Sequence, residues 1–332
     1  MLKLGILFKF IKKAGRMEHL LHSRQEQMLL ATPQGKKLTF ISHFVKVLTN
    51  PNIEKNNLKR RFKMDSEKNH VGKAEVISNI KVAKDTWQLT LEPPDRFVVT
   101  DCSPGQFICL APLDPNSAMS RPFSIASIST FNGTLKLIYK LVGANTKLMG
   151  QLNEGQQIKI WGPLGNGLIP EPNLYDEIWL VGGGMGIAPL RFFERVISEY
   201  QEDIAKVFYG AKSKDEIVEL RLHSEDSLEI ATDDGSAGYH GLVTHLFFDK
   251  TAGYKGKKIL VITCGPNRMM NQIAALCGLL KFDCYVILER IMACGIGVCL
   301  GCSIKMKSGE MKRICHDGPV FKAEEVDWNA LG

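Results

Sequence analysis

Near residue 175 the sequence changes rhythm, and that change limits the fold more than any single motif. From about residue 71 to 170 it runs in short alternating stretches, KAEVISNI, TWQLTLE, QFICLAP, TLKLIYKLV and QQIKIWGP, with turn residues between them. Alternation at regular spacing predicts antiparallel strands that close into a barrel. From about 175, EIWLV leads into GGGMGIAPLRFFERVISEY, followed by KVFYGA, SLEIATDD, a helix near 241–249, KKILVITCG, PNRMMNQIAALCGLL and CYVILE. Strand alternating with helix predicts a parallel sheet with crossover helices. The last segment, 289–332, is rich in Cys and Gly and too short to hold a core without a staple.

A chain of 332 residues, 45% hydrophobic and 23% charged, is that of an ordinary globular protein with two or three domains. No apolar run reaches the roughly 18 residues that span a bilayer. The formal net charge of +7 is uneven: residues 1–63 carry 14 Lys/Arg against 3 Asp/Glu, and the rest carries 28 against 32. The basic excess therefore belongs to an N-terminal leader, and the mildly acidic body is a poor nucleic-acid binder. MLKLGILFKFIKKAGR is basic and amphipathic, with Leu4, Leu7, Phe8 and Ile11 on one helical face. Such a pattern suits an anionic membrane surface or an organellar presequence, the plainer alternative being a poorly ordered leader without a part in the chemistry. Met64 is the expected start of the folded body.

Three motifs carry chemistry. VGGGMGIAPL places Gly182, Gly183, Gly184 and Gly186 between an apolar strand and an amphipathic helix. A backbone without side chains there can approach a ligand, and the helix start presents free N–H groups to a pyrophosphate. The TCGPNRMM stretch repeats the arrangement at the end of a later strand, so Cys264, Gly265 and Pro266 are expected beside a nicotinamide. In the barrel half, SRPFSIAS supplies Arg121, a fork for a pyrophosphate, Pro122 and Phe123, and Ser124, a hydrogen-bonding partner for a flavin edge. GANTKLMGQL adds Gly143, Asn145 and Thr146 at an expected helix start. Taken singly, each of these stretches is a common turn or cap.

The third motif is ERIMACGIGVCLGC, which with Cys315 gives C-x4-C-x2-C-x12-C. Nine cysteines without a signal peptide point to thiolate chemistry in a reducing compartment. The spacing is that of plant-type 2Fe–2S ligation, with Gly295, Gly297 and Gly301 keeping the loop compact and its N–H groups directed at sulfur. Structural zinc, which usually uses two short Cys pairs, is the alternative. Cys102, Cys109, Cys264, Cys277 and Cys284 read as core residues.

In order, the barrel, RPFS, GANTKL, GPLGNG, VGGGMGIAPL and CGPNRMM resemble the ferredoxin–NADP reductase superfamily over residues 71–288. That resemblance implies FAD at the Arg-x-x-Ser stretch and a nicotinamide nucleotide at the two turns. With the end, ERIMACGIGVCLGCSIKMKSGEMKRICHDGPVFKAEEVDW, residues 71–332 resemble the electron-transfer subunits of NAD-dependent dihydroorotate dehydrogenase B. The basic leader (1–63) departs from that family's pattern, whose chains are expected to begin near Met64. The resemblance implies a multidomain chain: an antiparallel β-barrel FAD domain (64–172), an α/β parallel-sheet nicotinamide-binding domain (173–288) and a small iron–sulfur module (289–332). It also implies a 2Fe–2S cluster on Cys294, Cys299, Cys302 and Cys315. The implied partner is an FMN-containing catalytic subunit, two of each chain forming a cytoplasmic heterotetramer in pyrimidine biosynthesis.

A nicotinamide exchanges hydride and a cluster single electrons, so FAD is expected between them, and no residue here is expected to act as substrate acid or base. NAD is expected over NADP, chiefly on the resemblance, because KSKDE after KVFYGA offers Lys212 and Lys214 but no arginine clamp. Two alternatives stay open. One is a flavin and iron–sulfur subunit serving a ferredoxin-linked NADPH oxidoreductase or a sulfide dehydrogenase; the other is a cofactor-free regulatory protein with a zinc-held tail.

Overall fold

The computed structural model describes residues 70–332, apart from 96, 114–119, 201–204, 220–226, 255 and 332. The leader and Met64 lie outside the described residues. Six antiparallel strands close a barrel: β1 (His70–Ala83), β2 (Thr86–Glu92), β3 (Phe107–Ala111), β4 (Arg121–Ser129), β5 (Thr134–Lys140) and β6 (Gln157–Leu164), in the order β1-β2-β5-β4-β3-β6. Their inward positions are apolar and sealed, with Leu89, Leu91, Ile108, Ile125, Leu135, Leu137 and Ile158 at 0% exposure. Each such side chain contributes about 1.5–3 kcal/mol by leaving water. A short helix, α1 (Ala144–Met149), connects β5 to β6.

The RPFSIASIS stretch, which the alternation does not mark as a strand, is β4 itself, paired with β3 so that Phe107 faces Ser124 and Leu110 faces Arg121. Ile125 and Ala126 are fully buried, and their burial holds the stretch in the barrel wall.

The second half is a seven-stranded sheet in the order β10-β9-β8-β7-β11-β12-β15. It comprises β7 (Glu177–Gly183), β8 (Ala205–Ala211), β9 (Leu228–Thr232), β10 (Tyr239–His240), β11 (Ile259–Cys264) and β12 (Asp283–Ile287), all parallel, and β15 (Val320–Lys322). The crossover helices are α2 (Ile187–Tyr200), α3 (Val243–Thr251) and α4 (Asn267–Leu280). Every residue of β7 is buried, as a central parallel strand covered on both faces requires. Trp179 anchors one face, with Phe208, Phe247 and Tyr254 at ring distances of 5.2, 5.4 and 4.7 Å. On the other face α2 buries Leu190, Phe193 and Ile197.

The chain after β12 returns to this sheet. A two-stranded ribbon, β13 (Ser303–Lys305) with β14 (Met311–Arg313), precedes a single-turn helix, α5 (Ile314–Asp317). Strand β15 then pairs antiparallel with β12, Val286 facing Phe321, and a last turn, α6 (Trp328–Leu331), follows. Among the described residues no helix is long and apolar enough to cross a membrane.

Candidate cofactor sites

A cleft of 610 Å³ opens between the barrel and the parallel sheet. All seven expected flavin residues line it: Arg121, Pro122, Phe123 and Ser124 from β4, and Gly143, Asn145 and Thr146 from the start of α1. Its far walls are Met185 and Ala188 beside the glycine turn, and the run Ile287 to Met292 leaving β12. Phe123 stacks edge-on against Tyr139 at 5.9 Å, and the Tyr139 hydroxyl donates to Asn79 Oδ1 at 3.1 Å. Burial pushes that phenol up to about 12, so Tyr139 stays neutral. Arg121 is exposed and donates from Nη1 to Ser120 O at 2.9 Å. The Thr146 hydroxyl is used locally: it accepts from the Val142 and Gly143 amides at 2.9 and 3.0 Å, shaping the loop that precedes α1.

The two glycine turns meet each other. A Cβ on Gly186 would lie 2.1 Å from Cys264 O, and one on Gly265 would lie 3.0 Å from Gly183 N. On Gly183 it would strike Met269 Sδ at 2.5 Å, and on Gly182 it would crowd Ile187 at 3.1 Å. Gly183, Gly186 and Gly265 are glycines because the β7 and β11 turns press together, and Gly182 because the start of α2 folds back on it. Gly184 differs: its φ is +54° and nothing lies within 4 Å of its absent side chain, so it alone faces open space. Cys264 is fully buried, and burial, with Glu289 nearby adding to it, raises its thiol well above the usual range. Glu289 lines the cleft, and desolvation there raises its carboxyl above the ordinary value.

The four motif cysteines come as two pairs. The Cys302 and Cys315 sulfurs lie 3.2 Å apart, both buried, and the Cys315 amide donates to Cys302 Sγ at 3.4 Å. The Cys299 amide donates to Cys294 Sγ, also at 3.4 Å, with Cys299 exposed and Cys294 half-buried. Burial alone would raise the Cys294 thiol, but amides of Cys299, Ile296 and Val298 and the Cys299 thiol outweigh it and bring it down to about 6. Cys315 goes the other way, up to about 12, through burial and the adjoining Cys302 thiol.

Among the described residues no group of three or more His, Cys, Asp or Glu side chains is arranged to hold a single metal ion. Two thiol pairs, each with an amide directed at its sulfur, instead suit a two-iron cluster, which Cys294, Cys299, Cys302 and Cys315 would hold. The loop's glycines follow suit: Gly295 and Gly297 have φ of +71° and +82°. A Cβ on Gly295 would meet Cys109 Sγ at 3.0 Å, so the loop packs directly on β3, and Cys109 is pushed up to about 12 by burial and by Cys294.

Sequence reasoning missed the cleft's Glu289 and Tyr139 and the run 287–292, which nothing in a single chain marks as facing a distant barrel. It also missed Arg313, Asp317 and His316 beside the inner cysteine pair. There a signal exists: Arg313 and Asp317 are an i,i+4 pair of opposite charge bracketing Cys315.

Three protein families match in succession: an oxidoreductase FAD-binding domain over residues 73–167, an oxidoreductase NAD-binding domain over 180–275, and the iron–sulfur cluster binding domain of dihydroorotate dehydrogenase B over 289–327. The dihydroorotate dehydrogenase B (NAD(+)) electron transfer subunit of Clostridium perfringens is 33% identical over 261 residues, spanning 77% of this chain and 98% of that protein. The corresponding subunit of Listeria innocua is 34% identical over 258 residues, 76% of this chain and 96% of that protein. A solved structure of the NADH-dependent reduced ferredoxin-NADP oxidoreductase, an enzyme of flavin-based electron bifurcation, superimposes with a TM-score of 0.69. It is 31% identical, covering 78% of this chain and 91% of that one. A ferredoxin NADP+ reductase from Neisseria gonorrhoeae, 16% identical with a TM-score of 0.52 over 67% of this chain and 95% of that one, shares the fold. The order of these domains, their cofactors and the extent of the match agree: this chain belongs to the family of dihydroorotate dehydrogenase B electron transfer subunits.

Proposed function

We propose that the chain links an FMN-containing dihydroorotate dehydrogenase catalytic subunit to NAD+, accepting its electrons at Cys294, Cys299, Cys302 and Cys315 and delivering them through the cleft. The observation that carries this reading is continuity. The cleft wall runs from Ile287 to Met292, and only Ala293 separates it from Cys294. When bound, the cluster supplies one-electron chemistry, the nicotinamide hydride chemistry, and FAD the exchange between them.

The chain's own groups position and exclude. Arg121 offers its fork to a pyrophosphate, Ser124 a hydroxyl to a ring edge, and Pro122 and Phe123 an apolar wall. Gly143, Asn145 and Thr146 close the cleft over the barrel, Thr146 by fixing the turn. Gly182, Gly183, Gly186, Gly265 and Pro266 hold the two turns together, and Gly184 leaves the opening where a dinucleotide backbone can approach. Cys264 is neutral and buried, its carbonyl against Gly186. For NAD over NADP, the Asp234 amide donates to Lys212 O at 3.2 Å and the Lys214 amide to Ser236 Oγ at 2.8 Å. These bonds bring the acidic turn Asp233–Asp234 beside Lys212 and Lys214, so that two carboxylates offset the two lysines a 2′-phosphate would need.

The partner's side is apolar. Ile291, Val298 and Leu300 are 91%, 75% and 62% exposed around the outer cysteines, an unusual cost in water unless another protein covers them. A heterotetramer with two copies of each chain, located in the cytoplasm, completes the proposal.

The test is copurification of the full chain with an FMN-containing dihydroorotate dehydrogenase subunit from the same source, assayed for NAD+-dependent orotate formation. Activity that vanishes in Cys299→Ser supports the proposal. A second reading, a subunit of a ferredoxin-linked NADPH oxidoreductase, is favoured by the 31% identity to the bifurcating enzyme. It predicts no orotate, and NADPH-dependent ferredoxin reduction instead.

A further inference from the structure

Arg313 ties the two cysteine-bearing segments together. Its Nε donates to Asp317 Oδ2 at 3.0 Å and its Nη2 to Oδ1 at 3.1 Å, a forked pair within the Cys315 segment. Its backbone amide donates to the same carboxylate at 2.7 Å. The remaining arm, Nη1, donates to Gly297 O at 3.3 Å, in the middle of the loop that carries Cys294, Cys299 and Cys302. Asp317 also receives His316 Nδ1 at 2.8 Å. The segment is fixed from behind by the barrel: Asn166 donates from Nδ2 to His316 O at 3.0 Å and from its amide to Gly318 O at 2.6 Å. Lys312, the adjacent cation, turns away to Glu310 at 2.9 Å.

Four thiolates would make the centre strongly negative, and reduction adds a further electron. A fixed cation near it favours the reduced form, because net charge is one of the quantities that set an iron–sulfur potential. Arg313 lies two residues from Cys315, and its guanidinium reaches Gly297 O, between Cys294 and Cys299. Asp317 opposes it but is held to the guanidinium on the same segment, so removing Arg313 would also leave that carboxylate uncompensated. A lysine would keep the charge without the fork.

We propose that Arg313 is a positioning residue of the cluster centre that both clamps the Gly297 loop to the Cys315 segment and raises the cluster's reduction potential. This rests on the iron–sulfur reading of the four cysteines. The test is an EPR-monitored redox titration of the anaerobically purified full chain, comparing the parent with Arg313→Gln and Arg313→Lys, together with amide exchange over residues 294–302. Arg313→Gln is expected to make cluster reduction about tenfold less favourable, a midpoint lower by ~59 mV for one electron. Arg313→Lys is expected to stay near the parent's potential while its loop amides exchange faster. An Arg313→Gln protein that holds its cluster and titrates at the parent's potential overturns the proposal. Should Arg313→Gln hold no cluster, Arg313→Lys decides: amide exchange indistinguishable from the parent overturns it, and faster exchange supports it. A parent chain without iron would sink the functional reading itself, a different result from an unmoved potential.

Discussion

The flavin cleft is walled by a closed six-stranded barrel, whereas the cysteine loop one residue beyond its last wall leans on the outside of that barrel at Cys109 and has for regular structure of its own a two-stranded ribbon and single-turn helices. In the barrel the shape follows from burial: its inward side chains are sealed and Arg121, Ser124 and Asn145 simply stand on its rim. In the loop Ile296, Val298 and Leu300 are exposed, and the inner cysteines Cys302 and Cys315 are buried with Met292, Ile304 and Ile314. Such a segment depends on its ligand for stability, as small metal modules do. The expectation is that a cofactor leaves the first region with little change in the protein, but not the second.

The sharpest way to break this contrast is Cys302→Ser. It should abolish the cluster and lower partner-coupled orotate formation by roughly a hundredfold or more, while FAD stays bound. Visible spectra resolve the two signals, and loss of flavin along with iron would mean the regions are not independent. Iron removal by a chelator should likewise speed amide exchange in residues 289–322 and leave β1–β6 protected.

Gly186→Ala tests whether the parallel half depends on backbone contact. Its Cβ would meet Cys264 O at 2.1 Å, and we expect about 3 kcal/mol of lost stability in a urea melt together with loss of flavin reduction by NADH. Gly184→Ala, strained only by its φ of +54°, should cost about 1 kcal/mol and act mainly on the KM for NADH. If the two variants behave alike, the distinction between packing and ligand-facing glycines is wrong.

Arg121→Ala should weaken FAD by about tenfold, the worth of one charge-assisted hydrogen bond, and leave iron content unchanged. Fluorescence titration of the apo-flavoprotein reads the first, and an iron assay the second.

The smallest effect is expected at the opposite end of the sheet. Burial alone would raise the Glu177 carboxyl, but hydrogen bonds from Lys257, Trp179 and Lys206 outweigh it and hold it below its ordinary 4.5. A folded value below the unfolded one gives stability that is present above pH 4.5 and lost as pH falls through the folded value. Glu177→Gln should therefore cost about 1 kcal/mol at pH 7, solvent around the lysines screening the rest, and the two proteins should converge as pH falls below the folded value. A constant gap across pH would deny the carboxylate its role.

Much of this was legible in the residues. Period-two stretches and the strand–helix alternation marked ten of the thirteen strands of the barrel and the large sheet, all but β4, β10 and β15, because each carries its own burial pattern, as EIWLVGG does with every residue buried. The cysteine spacing was equally local. RPFSIASIS misled because Arg121, Pro122 and Ser124 look like turn chemistry, and only pairing with β3 makes them a strand. Strand β15 and the Arg313 clamp were hidden for another reason. Val320–Lys322 is three residues long, and its partner β12 lies more than thirty residues away, beyond the cysteine loop. The glycines of VGGGMGIAPL were seen as ligand-facing, but three of the four answer to Ile187, Met269 and Cys264.

The most direct measurement is an anaerobic titration of the full chain with NADH, followed by visible spectroscopy and EPR. The account predicts bleaching of bound FAD and then the signal of a reduced 2Fe–2S cluster, with the second absent and the first intact in Cys302→Ser. A colourless chain carrying zinc, or a flavin that NADH reduces while an intact cluster stays oxidised and inaccessible, would contradict it.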